Sequence, residues 1–169
     1  MDGEQVTNQY GGPTFTNATA ITAGFSLNEV EFPPVSGASV VFDDGGAMTI
    51  DFATPVRSVF GYFTYATPLT LSFIAFDLTE VLVPVTSAFV ANLALSGDVG
   101  SLPNELLGAR SLGGIRAVTI AGDPAGGSFT LDDLSFERLP GSSVPEPATL
   151  LLVVAGVLGL ARRRGLAAG

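Results

Sequence analysis

The sequence predicts an all-β domain, an antiparallel two-sheet sandwich of jelly-roll type, followed by a single short C-terminal hydrophobic helix. Three observations predict it. Apolar and polar residues alternate with a period of two in several short runs. Clusters of Gly, Pro, Asp and Asn punctuate those runs. The one long uncharged apolar run lies near the C-terminus, and no earlier stretch offers a long amphipathic helix.

Taken in order, Thr14 to Thr16 is the first candidate strand and Ser39 to Phe42 the next. Asp43-Asp44-Gly45-Gly46 follows, with the composition of a hairpin turn. From Ala47 to Phe76 the chain is rich in β-branched and aromatic residues, and Thr-Pro at 54–55 and 67–68 predicts turns between neighbouring strands. Met48, Ile50 and Phe52 alternate with Thr49 and Asp51, and Leu69, Leu71 and Phe73 alternate with Thr70 and Ser72, so each run should bury one face. Ser87 to Leu95, Arg116 to Ile120 and Ser128 to Glu137 complete the predicted strands. Ser96-Gly97-Asp98, Gly113-Gly114 and the stretch 122–127 separate them. Asn104 to Arg110 is compatible with one or two helical turns. Many short strands at this spacing favour a sandwich.

Composition limits the chemistry. The chain has no cysteine and no histidine, which removes disulfides, thiolate metal sites, Cys and Ser–His nucleophile systems and the HExxH zinc motif. Paired carboxylates are what remains, and they suit glycoside hydrolysis. Asp132 and Asp133, adjacent on a presumed strand, should point to opposite faces, so no enzyme is expected. Residues 1–144 carry 15 acids against 4 arginines, a balance that repels nucleic acid and anionic surfaces and attracts cations. A glycan platform has little to draw on: there is no tryptophan, and the tyrosines are Tyr10, Tyr62 and Tyr65. Tyr62 and Tyr65 have opposite parity on one strand unless a bulge at Gly61 intervenes. Hydrogen-bonding loops such as Ser96 to Asn104 are the other possibility for sugar binding.

The tail has its own logic. Ala148 to Ala161 is a run of 14 uncharged residues, which as a helix reaches about 21 Å. A hydrocarbon core about 30 Å thick usually takes ~20 apolar residues. The run, with Leu150, Leu151, Leu152, Val153, Val154, Val157, Leu158 and Leu160 as its membrane-facing bulk, is therefore short for a permanent anchor, and Gly156 and Gly159 weaken it further. Pro145 and Pro147, flanking Glu146, favour an extended backbone that a protease could engage. Arg162, Arg163 and Arg164 set topology by staying with the cytoplasm, which places the rest of the chain outside. A buried C-terminal helix and an uncleaved tail anchor are the alternatives. The predicted organisation is a β ectodomain over 1–139, a linker over 140–144 and a sorting signal over 145–169.

The order Val144-Pro145-Glu146-Pro147, apolar run, arginine cluster closely resembles the PEP-CTERM sorting signal of bacterial exported proteins. Thr7 to Phe15 and Gly127 to Phe136, ending Asp132-Asp133-Leu134-Ser135-Phe136, are similar to the opening and closing strand regions of ectodomains in that family. The resemblance implies export, transient retention in the inner membrane, and processing by an exosortase. It further implies a Gram-negative, exopolysaccharide-making host and a product that joins the cell surface, biofilm or extracellular matrix. Its members carry a signal peptide, whereas Met1-Asp2-Gly3-Glu4-Gln5 is acidic and polar. A signal peptide and a first strand are thus expected upstream of Met1. Similarity to jelly-roll carbohydrate-binding modules implies a structural calcium held by Asp132 with Asp2 or Glu4, and the loops at Asp43-Asp44-Gly45 and Gly122-Asp123 also offer hard oxygen ligands.

Overall fold

The computed structural model describes residues 2–77 and 80–139. The linker over 140–144, the motif Pro145-Glu146-Pro147, the apolar run and the arginine cluster lie outside the described residues. Among those described, the secondary structure is nine β-strands: β1 (Glu4–Gln5), β2 (Pro13–Thr16), β3 (Ala18–Thr22), β4 (Ser39–Asp43), β5 (Met48–Tyr65), β6 (Thr70–Ala75), β7 (Val85–Thr86), β8 (Glu105–Ala121) and β9 (Phe129–Arg138). No helix among them is long and apolar enough to cross a membrane.

All pairings are antiparallel and join the strands into one sheet, in the order β1-β3-β4-β9-β5-β8-β6-β7, with β2 added to β5. The division into two sheets expected from the sequence does not appear as a break in this ladder. Two long strands carry the continuity. The first half of β5 pairs β2 and the end of β8, and its second half pairs β9 and the start of β8. Ile50 and Phe63, on β5, line the same small pocket. Thirteen residues of straight strand would hold them about 43 Å apart, so β5 must turn back across the core. Its register shifts fall between Asp51 and Ser58, around Thr54-Pro55, where the missing proline donor and the bulge let the strand bend. The Thr-Pro pair therefore bends one strand instead of separating two.

The fold buries one apolar cluster that includes Met48, Ile50, Phe63, Leu71, Ile120 and Phe129. The predicted period of two selects part of this cluster: Met48, Ile50 and Phe52 are buried, as are Leu69 and Leu71, while Phe73 is half-buried. Three other expectations are corrected. The stretch read as helical from Asn104 to Arg110 is strand from Glu105 onward, pairing Ser58 to Phe63, with Leu107 buried and Leu106 exposed. Gly108 permits the close approach there, since a Cβ would lie 2.7 Å from the Cα of Phe60. Ser87 to Leu95 is irregular. The fully buried Asn92 accepts from Tyr65 N (2.7 Å) and donates to the carbonyls of Phe63 (2.9 Å) and Leu102 (3.1 Å), which saturates backbone groups that another strand would have used. Finally, Asp43 to Gly46 is no hairpin, because β9 lies between β4 and β5. Strands β1, β3 and β7 were not foreseen.

Candidate functional site

An open cleft of about 290 Å³ is lined by β2, β3, β4 and β9 together with Tyr10. Phe15, Val40, Leu131, Leu134 and Phe136 make its lining mainly apolar, and Asp132 and Asp133 border it. Tyr10 is 64% exposed and rests edge-on against Phe15, with centroids 6.4 Å apart at 72°. Phe136 in turn tilts against Phe52 at 5.4 Å. The aromatic rim thus stands on core residues, a geometry that can present an apolar ring face beside carboxylates. Of the three tyrosines, only Tyr10 lines the cleft. Tyr65 is buried and Tyr62 is half-buried on β5.

The acidic pair departs from simple alternation. Phe60 faces Ser135 and Tyr62 faces Asp132, so Asp133 and Leu134 together oppose Gly61. The extra residue is a β-bulge, and Asp133 takes a left-handed φ of 44°. Parity is reset, and both carboxylates reach one loop. Asp132 Oδ2 accepts from Val35 N (2.7 Å) and Ser36 N (3.1 Å), and Asp133 Oδ1 accepts from Ser36 Oγ (2.7 Å). The expected opposite-face arrangement is corrected accordingly: the pair ties the 33–36 loop to β9.

The carboxylates expected to hold calcium, Asp132 with Asp2 or Glu4, are engaged by different partners. Asp2 Oδ1 accepts from Thr22 N (2.8 Å) and from Ser26 Oγ, and the Ser26 bond holds this carboxyl below the usual range. Glu4 lies opposite Ala20, which lies opposite Val41, which lies opposite Leu131. Three strand spacings, about 14 Å, therefore separate Glu4 from the neighbourhood of Asp132, whereas calcium ligands must converge to ~2.4 Å from one ion. Among the described residues, no group of three or more Asp, Glu, His or Cys could hold a metal ion.

Three further polar sites are structural. Asp43 is fully buried and accepts from Ser128 N (2.8 Å), Phe129 N (2.9 Å) and Ser128 Oγ (3.1 Å). Burial raises its carboxyl above the ordinary value despite these donors. The Tyr65 hydroxyl donates to Glu105 and accepts from Phe89 N at 3.3 Å. Burial first, and then the Glu105 bond, pushes its phenol up to about 12. Glu31 accepts from Leu95 N (3.0 Å) and Ser96 N (3.2 Å), and the Leu95 bond holds it below the usual range. Sequence reasoning missed Asn92, Glu31 and the cleft residues on β2 and β4. Nothing local marks them, since their partners are distant in sequence.

A β domain joined to a Pro-Glu-Pro, apolar and arginine tail defines an exported protein with a C-terminal membrane-sorting signal. Residues 143–164 match the family model described as the PEP-CTERM protein-sorting motif; the chain carries that motif, which implies export via the membrane and processing by exosortase. No curated protein matches the chain. Among solved structures, that of TmCBM61 in complex with beta-1,4-galactotriose is similar to it at 14% identity, with a TM-score of 0.46, covering 75% of this chain and 88% of that one.

Proposed function

We propose that this protein is an exosortase substrate delivered to the cell surface or extracellular matrix, where its β domain is a non-enzymatic component of an exopolysaccharide-rich layer. The observation that carries the reading is the sorting motif at residues 143–164. In this account Leu150 to Leu160 retain the chain laterally in the inner membrane, Arg162 to Arg164 fix its orientation, and Pro145-Glu146-Pro147 presents an extended processing site. The folded-over sheet is read as a jelly-roll-like sandwich that supports this surface role. The test is processing in the native host: Pro145→Ala with Pro147→Ala should leave unprocessed chain in the membrane fraction. Normal release of that variant would remove the role of the proline-flanked site.

A second reading, a glycan-binding module, is favoured by the cleft in which the exposed ring of Tyr10 stands beside Asp132 and Asp133. Sugar rings stack on such faces, and carboxylates accept from hydroxyls. Titration with host exopolysaccharide tests it. Binding that weakens severalfold in Tyr10→Ala supports the reading, and equal binding by both forms rejects it.

A further inference from the structure

The basic residues of the β domain are distributed unevenly. Arg57, Arg110, Arg116 and Arg138 are its four arginines, and it has no lysine. All four lie at the bend of β5: Val56 pairs with both Ile115 and Arg138, and Ser58 pairs with Arg110 and Glu137. Arg116 adjoins Ile115, and Arg57 lies between the two β5 positions. Asp51, Asp77, Glu80 and Glu137 are the acids of this end, so its four acids balance the four arginines, while the other eleven acids of residues 1–139 lie at other positions of the chain.

The same end exposes large apolar side chains. Leu112 is 81% exposed, Val81 89% and Phe76 57%. The segments that carry them are joined: Phe76 N donates to Gly114 O (2.8 Å), and Glu80 accepts from Ser111 Oγ and from Gly113 N at 3.1 Å. This is also where the domain ends, with Leu139 N on Pro55 O. Eight residues, 140–147, separate Leu139 from Ala148, and the nine residue steps between these two span no more than ~32 Å when fully extended. When the apolar run is in the bilayer, the bend of β5 is tethered within that distance of it.

We propose that this end of the domain is a lipid-docking face: Leu112, Val81 and Phe76 enter the headgroup boundary, the arginines meet lipid phosphates, and the acidic remainder points away. The inference rests on the sorting reading, because the tail supplies the tether. Near-neutral charge with exposed apolar side chains suits an interface that repels a strongly acidic surface. The docking would fix the orientation in which the domain waits for processing.

The absence of cysteine makes single-site labelling clean. The full chain, reconstituted in vesicles of phosphatidylethanolamine and phosphatidylglycerol containing a nitroxide lipid, would carry an environment-sensitive fluorophore at Leu112→Cys, Val99→Cys or Val153→Cys. Val99 is an exposed residue of the loop region away from the bend. The proposal expects a loss of emission by quenching at positions 112 and 153 and none at 99. Quenching at 153 alone overturns the docking face and leaves the sorting reading standing. Equal quenching at 112 and 99 overturns it as general adsorption, and no quenching at any position removes both readings.

Discussion

Asp43 offers the sharpest test of how the β domain is held together. Its carboxylate gathers three donors from β9 and its preceding loop, and all of them are buried. Asp43→Ala strands Ser128 N and Phe129 N, and each buried unsatisfied donor costs about 1–3 kcal/mol. The Ser128 hydroxyl can rotate, and relief from burying an ionised group offsets part of the loss, so we expect a net destabilisation of roughly 2–4 kcal/mol. Asp43→Asn keeps an acceptor at the Oδ1 position and removes the charge, and should lie within about 1 kcal/mol of the parent at neutral pH. The assay is urea unfolding, read from midpoints at unchanged m. The sign of the pH effect follows from the raised carboxyl. The native state holds its proton to higher pH than the unfolded state, so this group's favourable contribution is complete below the unfolded value of about 3.9 and is lost as pH rises through the folded value. The parent should therefore gain stability relative to Asp43→Asn on acidification. An alanine variant as stable as the asparagine variant, or a relative gain on raising the pH, would refute the reasoning.

Three more outcomes are expected. In a spectroscopic alkaline titration one of the three tyrosines should ionise late, since Tyr65 is pushed up to about 12. Its stabilising contribution is present below about pH 10 and disappears through that folded value, and Tyr65→Phe should remove the late step. Asn92→Ala, which uncaps Tyr65 N and two carbonyls, should cost about 2–4 kcal/mol in the same urea assay. Gly108→Ala would press a methyl group against the Val59 carbonyl and the backbone of Phe60 and should lose about 3 kcal/mol, visible as a lowered thermal midpoint.

The β class and the strands with clean alternation were legible in the sequence because burial of one face follows directly from residue order: Ile50, Phe52 and Leu71 are where period two places them. What the sequence concealed came from long-range partners and local exceptions. Thr54-Pro55 looks like a break, yet a bulge there lets one strand continue and serve two sets of neighbours. Asn92 withdraws an apolar stretch from the sheet through bonds to residues 63 and 65. Asp132 and Asp133 converge on Ser36 only because one residue is added opposite Gly61, and no parity argument can see an insertion in a ladder not yet paired. The sorting motif was legible for the opposite reason, since its meaning lies in the order of three local segments, and residues 143–164 match the motif's family model.

The most direct test of the central claim is the mass of the C-terminal peptide of mature protein isolated from its native host. The account predicts a terminus close to Pro145-Glu146-Pro147, with the apolar run and Arg162 to Arg164 removed. A peptide extending intact through Gly169 in the membrane fraction would contradict exosortase processing and make the chain a permanently anchored surface protein.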